Sequence, residues 1–303
     1  MLANRSHFRP YQFSLRALLA AITIFCCLAS WVAYHRQQAV KAHETIAAVE
    51  RFGGTILPAT TTRQSTSGAT AVFGDDSYKS LVGVSFWLGF KGESADDLHL
   101  ERLRELHTLE LDHTRLTDQG LQKLLRLQYL ENLSLKDNEI TDQGLAGLNR
   151  LSNLTVFRVD GTNISDAGLL NLEGLSKLKI LILDRTKITD DGLETISHLP
   201  ALQELYLDNT KISDAGLVHI SQMQSLRLLS LSKTRITDEG LKSLANLTGL
   251  QRLFLDRNNL TEAGMKHLAP LQNLQELYVD NTQISNESAR SFLEPNLARF
   301  RGW

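Results

Sequence analysis

The chain has almost no cysteine: Cys26 and Cys27 are the two present among 303 residues. Everything after residue 27 therefore lacks both an internal disulfide and a thiolate metal site. Proline is scarce too, at five residues, and with 42% hydrophobic and 22% charged residues the composition is that of folded material. The motifs of catalysis are missing. There is no H-E-x-x-H, no Cys/His cluster, no G-x-S-x-G and no G-x-x-x-x-G-K-[ST]. The nine histidines are scattered, and His107 and His113 read as solvated surface residues. No catalytic residue, no metal site and no cofactor is expected. A net charge of −2 argues for no nucleic-acid partner.

Acidic side chains are absent from residues 1–41, which hold Arg5, Arg9, Arg16, Arg36 and Lys41. The rest of the chain carries 27 basic against 34 acidic residues, a net of −7. Residues 1–16 form a basic head. Ala17 to Tyr34 then runs without a charge, the short end of what crosses a bilayer as a helix. Trp31 and Tyr34 stand at its far edge, where amphipathic aromatics favour the membrane–water interface. Arginines before the segment favour a cytoplasmic N-terminus and an extracytoplasmic body. The expectation is a single-pass signal anchor over 17–34. A cleaved signal peptide ending at Cys27-Leu28-Ala29 is the alternative; a lipoprotein would need a small residue before the cysteine.

Residues 35–97 read as a juxtamembrane helix and N-terminal cap. A helix over 36–52 is ended by Gly53-Gly54, a polar loop covers 58–70, and a strand covers 81–90.

From residue 98 to 293 the chain repeats. Leu109, Leu133, Phe157, Leu181, Leu205, Leu229, Leu253 and Leu277 stand 24 residues apart at every step, over eight units with no insertion. Two residues on is a second apolar column, Leu111 to Val279, and a third runs from Leu116 to Ile284. Period-two spacing points both strand leucines into a core. The G-L-x-x-L-x-x-L half suits a short helix packing that core from behind. One unit cannot bury its leucines alone, whereas a stack can, so the fold class expected is α/β: a leucine-rich-repeat solenoid with parallel strands on its concave face, short helices on its convex face and one transmembrane helix ahead of it.

The small-residue columns have structural roles in this reading. Thr117 to Ser285 would cap each helix start, and the following Asp would sit at the positive helix end. Gly120 to Gly264 keep neighbouring turns close. Thr114, Asn138 and their equivalents to Thr282 form a buried polar column. The ends degenerate, as capping units do: Phe86, Leu88 and Leu98 resemble an early coil, and residues 294–303 form a C-terminal cap in which Pro295 stops the array and Phe300 and Trp303 cover its end.

The repeat, for example Ile188-Thr-Asp-Asp-Gly-Leu193, resembles the Gly-Leu type of bacterial leucine-rich repeats, similar to the repeat domains of F-box substrate receptors. The head Phe13-Ser-Leu-Arg16-Ala-Leu-Leu19 and the helix end Arg51-Phe-Gly-Gly54 resemble planctomycete-type membrane-anchored repeat proteins. The resemblance implies a curved solenoid and protein–protein interaction, and no particular ligand. No F-box is visible in residues 1–80, so a ubiquitin-ligase role does not follow.

Function should then lie in the irregular positions. Between the strand leucines, Arg158, Ile182, Tyr206, Phe254 and Tyr278 face outward, and aromatic anchors dominate interface energy. After the second leucine stand Asp160, Asp184, Asp208, Asp256 and Asp280, a ladder of like charges about 4.8 Å apart that is a turn device, a surface for a cationic partner or, least favoured because the spacing lacks a chelating loop, a Ca²⁺ ladder. The functional expectation is a membrane-anchored scaffold binding a protein partner on the concave face. The alternatives are a structural cell-envelope protein without a specific ligand and a carbohydrate-binding module.

Overall fold

The computed structural model describes residues 15–58, 81–86 and 91–300, with the backbone alone for 15–22, 35, 57–58, 81–82 and 295–300. Helix α1 (Leu15–Arg51) comes first, then strands β1 (Thr55–Pro58) and β2 (Leu81–Ser85). The repeat strands are β3 (Thr108–Glu110), β4 (Asn132–Ser134), β5 (Val156–Arg158), β6 (Ile180–Ile182), β7 (Glu204–Tyr206), β8 (Leu228–Ser230), β9 (Arg252–Phe254) and β10 (Glu276–Tyr278). Behind them lie α2 (Asp118–Leu124), α3 (Asp166–Leu169), α4 (Asp190–Ser197), α5 (Gly216–Ile220), α6 (Asp238–Leu244), α7 (Glu262–Met265) and the terminal α8 (Asn286–Phe300).

All described strands form one sheet in sequence order. β1 pairs antiparallel to β2, and every later pair is parallel. The register is the 24-residue period itself: Leu109 pairs with Leu133, Leu133 with Phe157, and so on to Leu253 with Leu277. The three apolar columns and the helix leucines make one continuous core from Ala42 to Ala289. Each such side chain contributes about 1.5–3 kcal/mol by leaving water, and neighbouring coils supply the surface that buries it.

The helix expected over 36–52 as a continuation of the preceding apolar segment is found as that, 37 residues in one piece. Its last turns, through Ala42 and Val49, pack on the first coil. Among the described residues no helix is long and apolar enough to cross a membrane, so the expected span 17–34 is not shown; the side chains of its first six residues lie outside the described ones. The loop expected over 58–70 falls almost wholly outside the described residues.

Two cap expectations need correction. The early coil aligns Val84 with Leu109 rather than Phe86, because the antiparallel pairing with β1 sets the register of β2; Phe86 takes the second leucine's place and is buried, while Leu88 lies outside the described residues. At the other end Pro295 does not stop the array: α8 runs through it to Phe300. Ala289, Phe292 and Leu293 pack on the core.

The hydroxyl and Asp columns act between coils more than within them. Asp118 accepts from the next coil's Thr141, at N–H 2.8 Å and hydroxyl 2.6 Å. The same double bond joins Asp142 to Ser165, Asp166 to Thr189, Asp190 to Ser213, Asp214 to Thr237 and Asp238 to Thr261. The expected acceptance of a following N–H by the hydroxyl at each start is found beside these bonds at Thr117, Thr141, Ser213, Thr261 and Ser285, at 3.1–3.4 Å. A hydroxyl's one proton goes to the neighbouring carboxylate, the stronger acceptor, and its oxygen stays open to an N–H of the turn. The glycine column explains itself here: a Cβ on Gly216 would stand 2.4 Å from an Asp190 oxygen, and one on Gly240 2.2 Å from Asp214.

Candidate functional site

The strand face carries three outward positions per coil: the residues on either side of the first leucine and the one after the second. Sequence reasoning used the last two and passed over the first, although the same alternation places it on the same face. That omitted column supplies Val156, Ile180, Glu204, Leu228 and Arg252.

At its N-terminal end the surface is ionic. Arg158 Nε donates to Asp160 Oδ1 at 2.5 Å, and Arg185 reaches the other Asp160 oxygen at 3.1 Å. Arg185 also reaches Asp137, two coils back, at 3.0 Å. Gly161 lies under that bridge: a Cβ there would meet Asp137 Oδ1 at 1.9 Å and Arg185 Nη2 at 3.0 Å. It belongs to a column, His113 to Asn281, in which every residue adopts positive φ. Sequence reasoning missed this corner; its signal was the Asp, Gly and two Asn among the eight positions.

The Asp ladder is largely spoken for. Asp184 accepts the backbone N–H of Asp208 at 2.7 Å. Asp208 accepts from Ser230 Oγ and Ser232 N–H, and Asp256 from the N–H of Asp280. Asp160 is buried, with both oxygens on guanidiniums. These carboxylates fix the turns, and only Asp280, on the last strand's coil, is fully exposed.

Stacking has an electrostatic consequence. Burial first, and then the charges of Asp208 and Asp160, push the Asp184 carboxyl up to about 6, against the opposing N–H bond from Asp208. The folded state thus holds a proton that the unfolded chain has released between pH about 4 and about 6, so stability falls as pH rises through that window. Asp184→Asn keeps the acceptor oxygen and removes the charge. Its unfolding midpoint is expected to match the parent near pH 4 and exceed it above pH 6. A carboxyl titration by NMR giving Asp184 an ordinary value would refute the account.

The C-terminal half is aromatic. Phe254 and Tyr278 stack across β9 and β10, ring centroids 4.5 Å apart and planes 2° from parallel. Tyr278 is 43% exposed. Tyr206 donates its hydroxyl to Glu204 at 3.0 Å, and Glu204 takes Arg252 at 3.0 Å from two coils away. That ion pair crosses β8, where Leu228 and Ser230 are buried. The expected stripe is therefore two patches. Ile182 and Tyr206 adjoin on β6 and β7, Phe254 and Tyr278 adjoin on β9 and β10, and the sunken Ser230 coil separates them.

Family models described as leucine rich repeat match residues 152–212 and 218–284, and others of the same description match 103–125 and 126–148. The chain belongs to the leucine-rich repeat proteins. Proteins of this family generally act by binding other proteins. Among solved structures, the chain is similar to an internalin (inlF) from Listeria monocytogenes, at 22% identity over 84% of this chain and 72% of that one, with TM-score 0.55. That likeness shows the fold. An internalin C2 from the same organism is 33% identical over 63% of this chain and 77% of that one, with TM-score 0.47. A Leptospira interrogans leucine-rich repeat protein is 24% identical over 65% of this chain and 54% of that one, with TM-score 0.47. No protein of curated function matches the chain.

Proposed function

We propose that this leucine-rich repeat protein is a membrane-anchored scaffold that binds a protein partner on the strand face of its solenoid. The observation that carries the binding reading is the Phe254–Tyr278 stack. A rigid aromatic pair, partly exposed and rimmed by Arg252 and Glu276, is the arrangement that anchors interfaces. Tyr206 and Ile182 extend the surface across the sunken β8 coil. The scaffold needs no chemistry of its own, and the sequence has no motif that would supply any.

The anchor reading rests on the uncharged run 17–34 and on what α1 exposes. Ile24, Phe25, Leu28, Trp31 and Tyr34 are 48–71% exposed, an apolar surface that the solenoid leaves uncovered. The arginines at 5, 9 and 16 favour an N-terminus in the cytoplasm and repeats on the other side.

The double variant Tyr206→Ala with Tyr278→Ala tests the site. In full-length protein held in detergent, it is expected to lose a captured protein partner, each truncation weakening binding by at least about 30-fold if the tyrosines are anchors. Retention of that partner at parental affinity would remove the stripe as the site. Glycan binding that depends on the same tyrosines would favour a carbohydrate-binding module instead.

A further inference from the structure

We infer that the edge of the solenoid where the repeat strands begin lies against the bilayer, and that Arg104, Arg126 and Arg150 with Tyr129 dock it on anionic phospholipid headgroups. The inference rests on the anchor reading for α1, and the test below separates the two.

The direction of α1 fixes which edge faces the membrane. A short turn, Phe52 to Gly54, joins α1 to β1, and the two elements pack together, so they run in opposite directions. β1 is antiparallel to β2, and β2 is parallel to every repeat strand. It follows that α1 runs the same way as the repeat strands. Traced backward, it leaves the body past the edge where those strands start. An independent contact agrees: Arg102, on that edge just before β3, meets Glu44 of α1 at 3.8 Å. Phe52, at the other end, accepts a hydrogen bond from Lys91. Tyr34 lies ten residues before Glu44, or about 15 Å at the helical rise. An interface near Tyr34 thus puts the headgroup region within a side chain or two of that edge.

The edge has the chemistry for such a surface at the anchored end and loses it farther away. Arg104, Leu125, Arg126, Gln128, Tyr129 and Arg150 line one open depression of about 440 Å³. The three arginines are exposed, and Tyr129 is 56% exposed. None of the three guanidiniums is ion-paired among the described residues. Of the nearby carboxylates, Glu131 is held by His107 at 3.1 Å, while Glu105 and Glu173 remain exposed on the same edge. Lys177 and Lys179 continue the basic run. Beyond them the basic run thins to Arg227; Gln222 to Leu226, Asn246 to Gln251 and Gln272 to Gln275 carry no charge. An arginine presents paired donors to phosphate oxygens, and a tyrosine beside it suits the headgroup level.

A spin label placed by Gln128→Cys, in the same depression, in a Cys26→Ser, Cys27→Ser background of the full chain, tests this in proteoliposomes. Flotation with the vesicles reports the anchor; accessibility of the label to a water-soluble relaxant reports docking. Vesicles of phosphatidylcholine alone are compared with vesicles containing phosphatidylglycerol. The expected result is flotation on both, with the label shielded only on the anionic vesicles. Shielding should vanish at about 1 M salt, where the Debye length is about 3 Å. Arg104→Glu, Arg126→Glu and Arg150→Glu together should keep flotation and lower the docked-to-free ratio by at least about a hundredfold. The salt arm makes the same test without a variant. Flotation with the label exposed on both vesicle types overturns the docking and leaves the anchor standing. So does shielding that ignores lipid charge and salt. Failure to float overturns both.

Discussion

Replacing Asn138 by alanine is expected to lower the stability of the array by about 3–5 kcal/mol, because at least two buried N–H groups lose their acceptor at about 1–3 kcal/mol each. The side chain is a staple between two coils. Its carbonyl accepts from the N–H groups of Leu116 at 2.9 Å and Thr114 at 3.1 Å. Its amide donates to the carbonyls of Leu111 at 2.6 Å and Leu135 at 3.0 Å. No water reaches this site to substitute, since Asn138 is 5% exposed and Thr114 fully buried. Asn138→Thr should cost less. Elsewhere in the column a threonine bonds its own coil's carbonyl, as Thr162 does with Val159, and that bond would remain. Because contacts run between neighbours in a solenoid, the damage should be local. Hydrogen exchange should accelerate over Thr108 to Leu135 before it does over the last coils. A threonine variant as stable as the parent in urea would show that the inter-coil bonds contribute nothing.

The second large effect belongs to a glycine. Gly240→Ala places a Cβ 2.2 Å from Asp214 Oδ1 and 2.8 Å from its Cγ. Asp214 must move, and with it go the bonds to the Thr237 N–H at 2.8 Å and hydroxyl at 2.6 Å. The combined cost is about 2–4 kcal/mol, from overpacking and from the two lost bonds. The diagnostic is non-additivity. In an Asp214→Ala background the clash is gone, so adding Gly240→Ala should cost less than about 1 kcal/mol, the alanine being the better helix former. Additive effects in urea unfolding would mean that the glycine acts through backbone freedom rather than through the carboxylate beside it.

These two residues show where sequence reasoning reached and where it stopped. The period of 24 is countable, and with it the strand columns, the helix leucines and the register of Leu109 on Leu133 follow directly. The close approach at the glycines was legible for the same reason, since eight small residues in phase imply a neighbour in phase. The direction of the hydroxyl bonds was not. Thr141 accepts from its own turn and also donates to Asp118, and only the distance between coils reveals the second bond. Asp96, which does for Thr117 what Asp118 does for Thr141, escaped notice because it stands 22 residues away rather than 24. The caps escaped for a related reason: outside the array no neighbouring unit imposes the spacing.

The candidate surface divides in the same way. Which residues face outward was fixed by alternation along each strand, a local property of the chain. The sequence alone thus determined a parallel-stranded repeat stack with its leucines inside, and it marked Tyr206, Phe254 and Tyr278 as outward. Only the tertiary structure decided that Phe254 stacks on Tyr278, that Glu204 and Arg252 close over Leu228, and that Asp160 is occupied by Arg158 and Arg185. Those contacts join residues 24 to 48 positions apart, or depend on a rotamer that the neighbouring coil selects. A periodic sequence places such residues side by side, but their partners are chosen by side-chain reach and burial across coils.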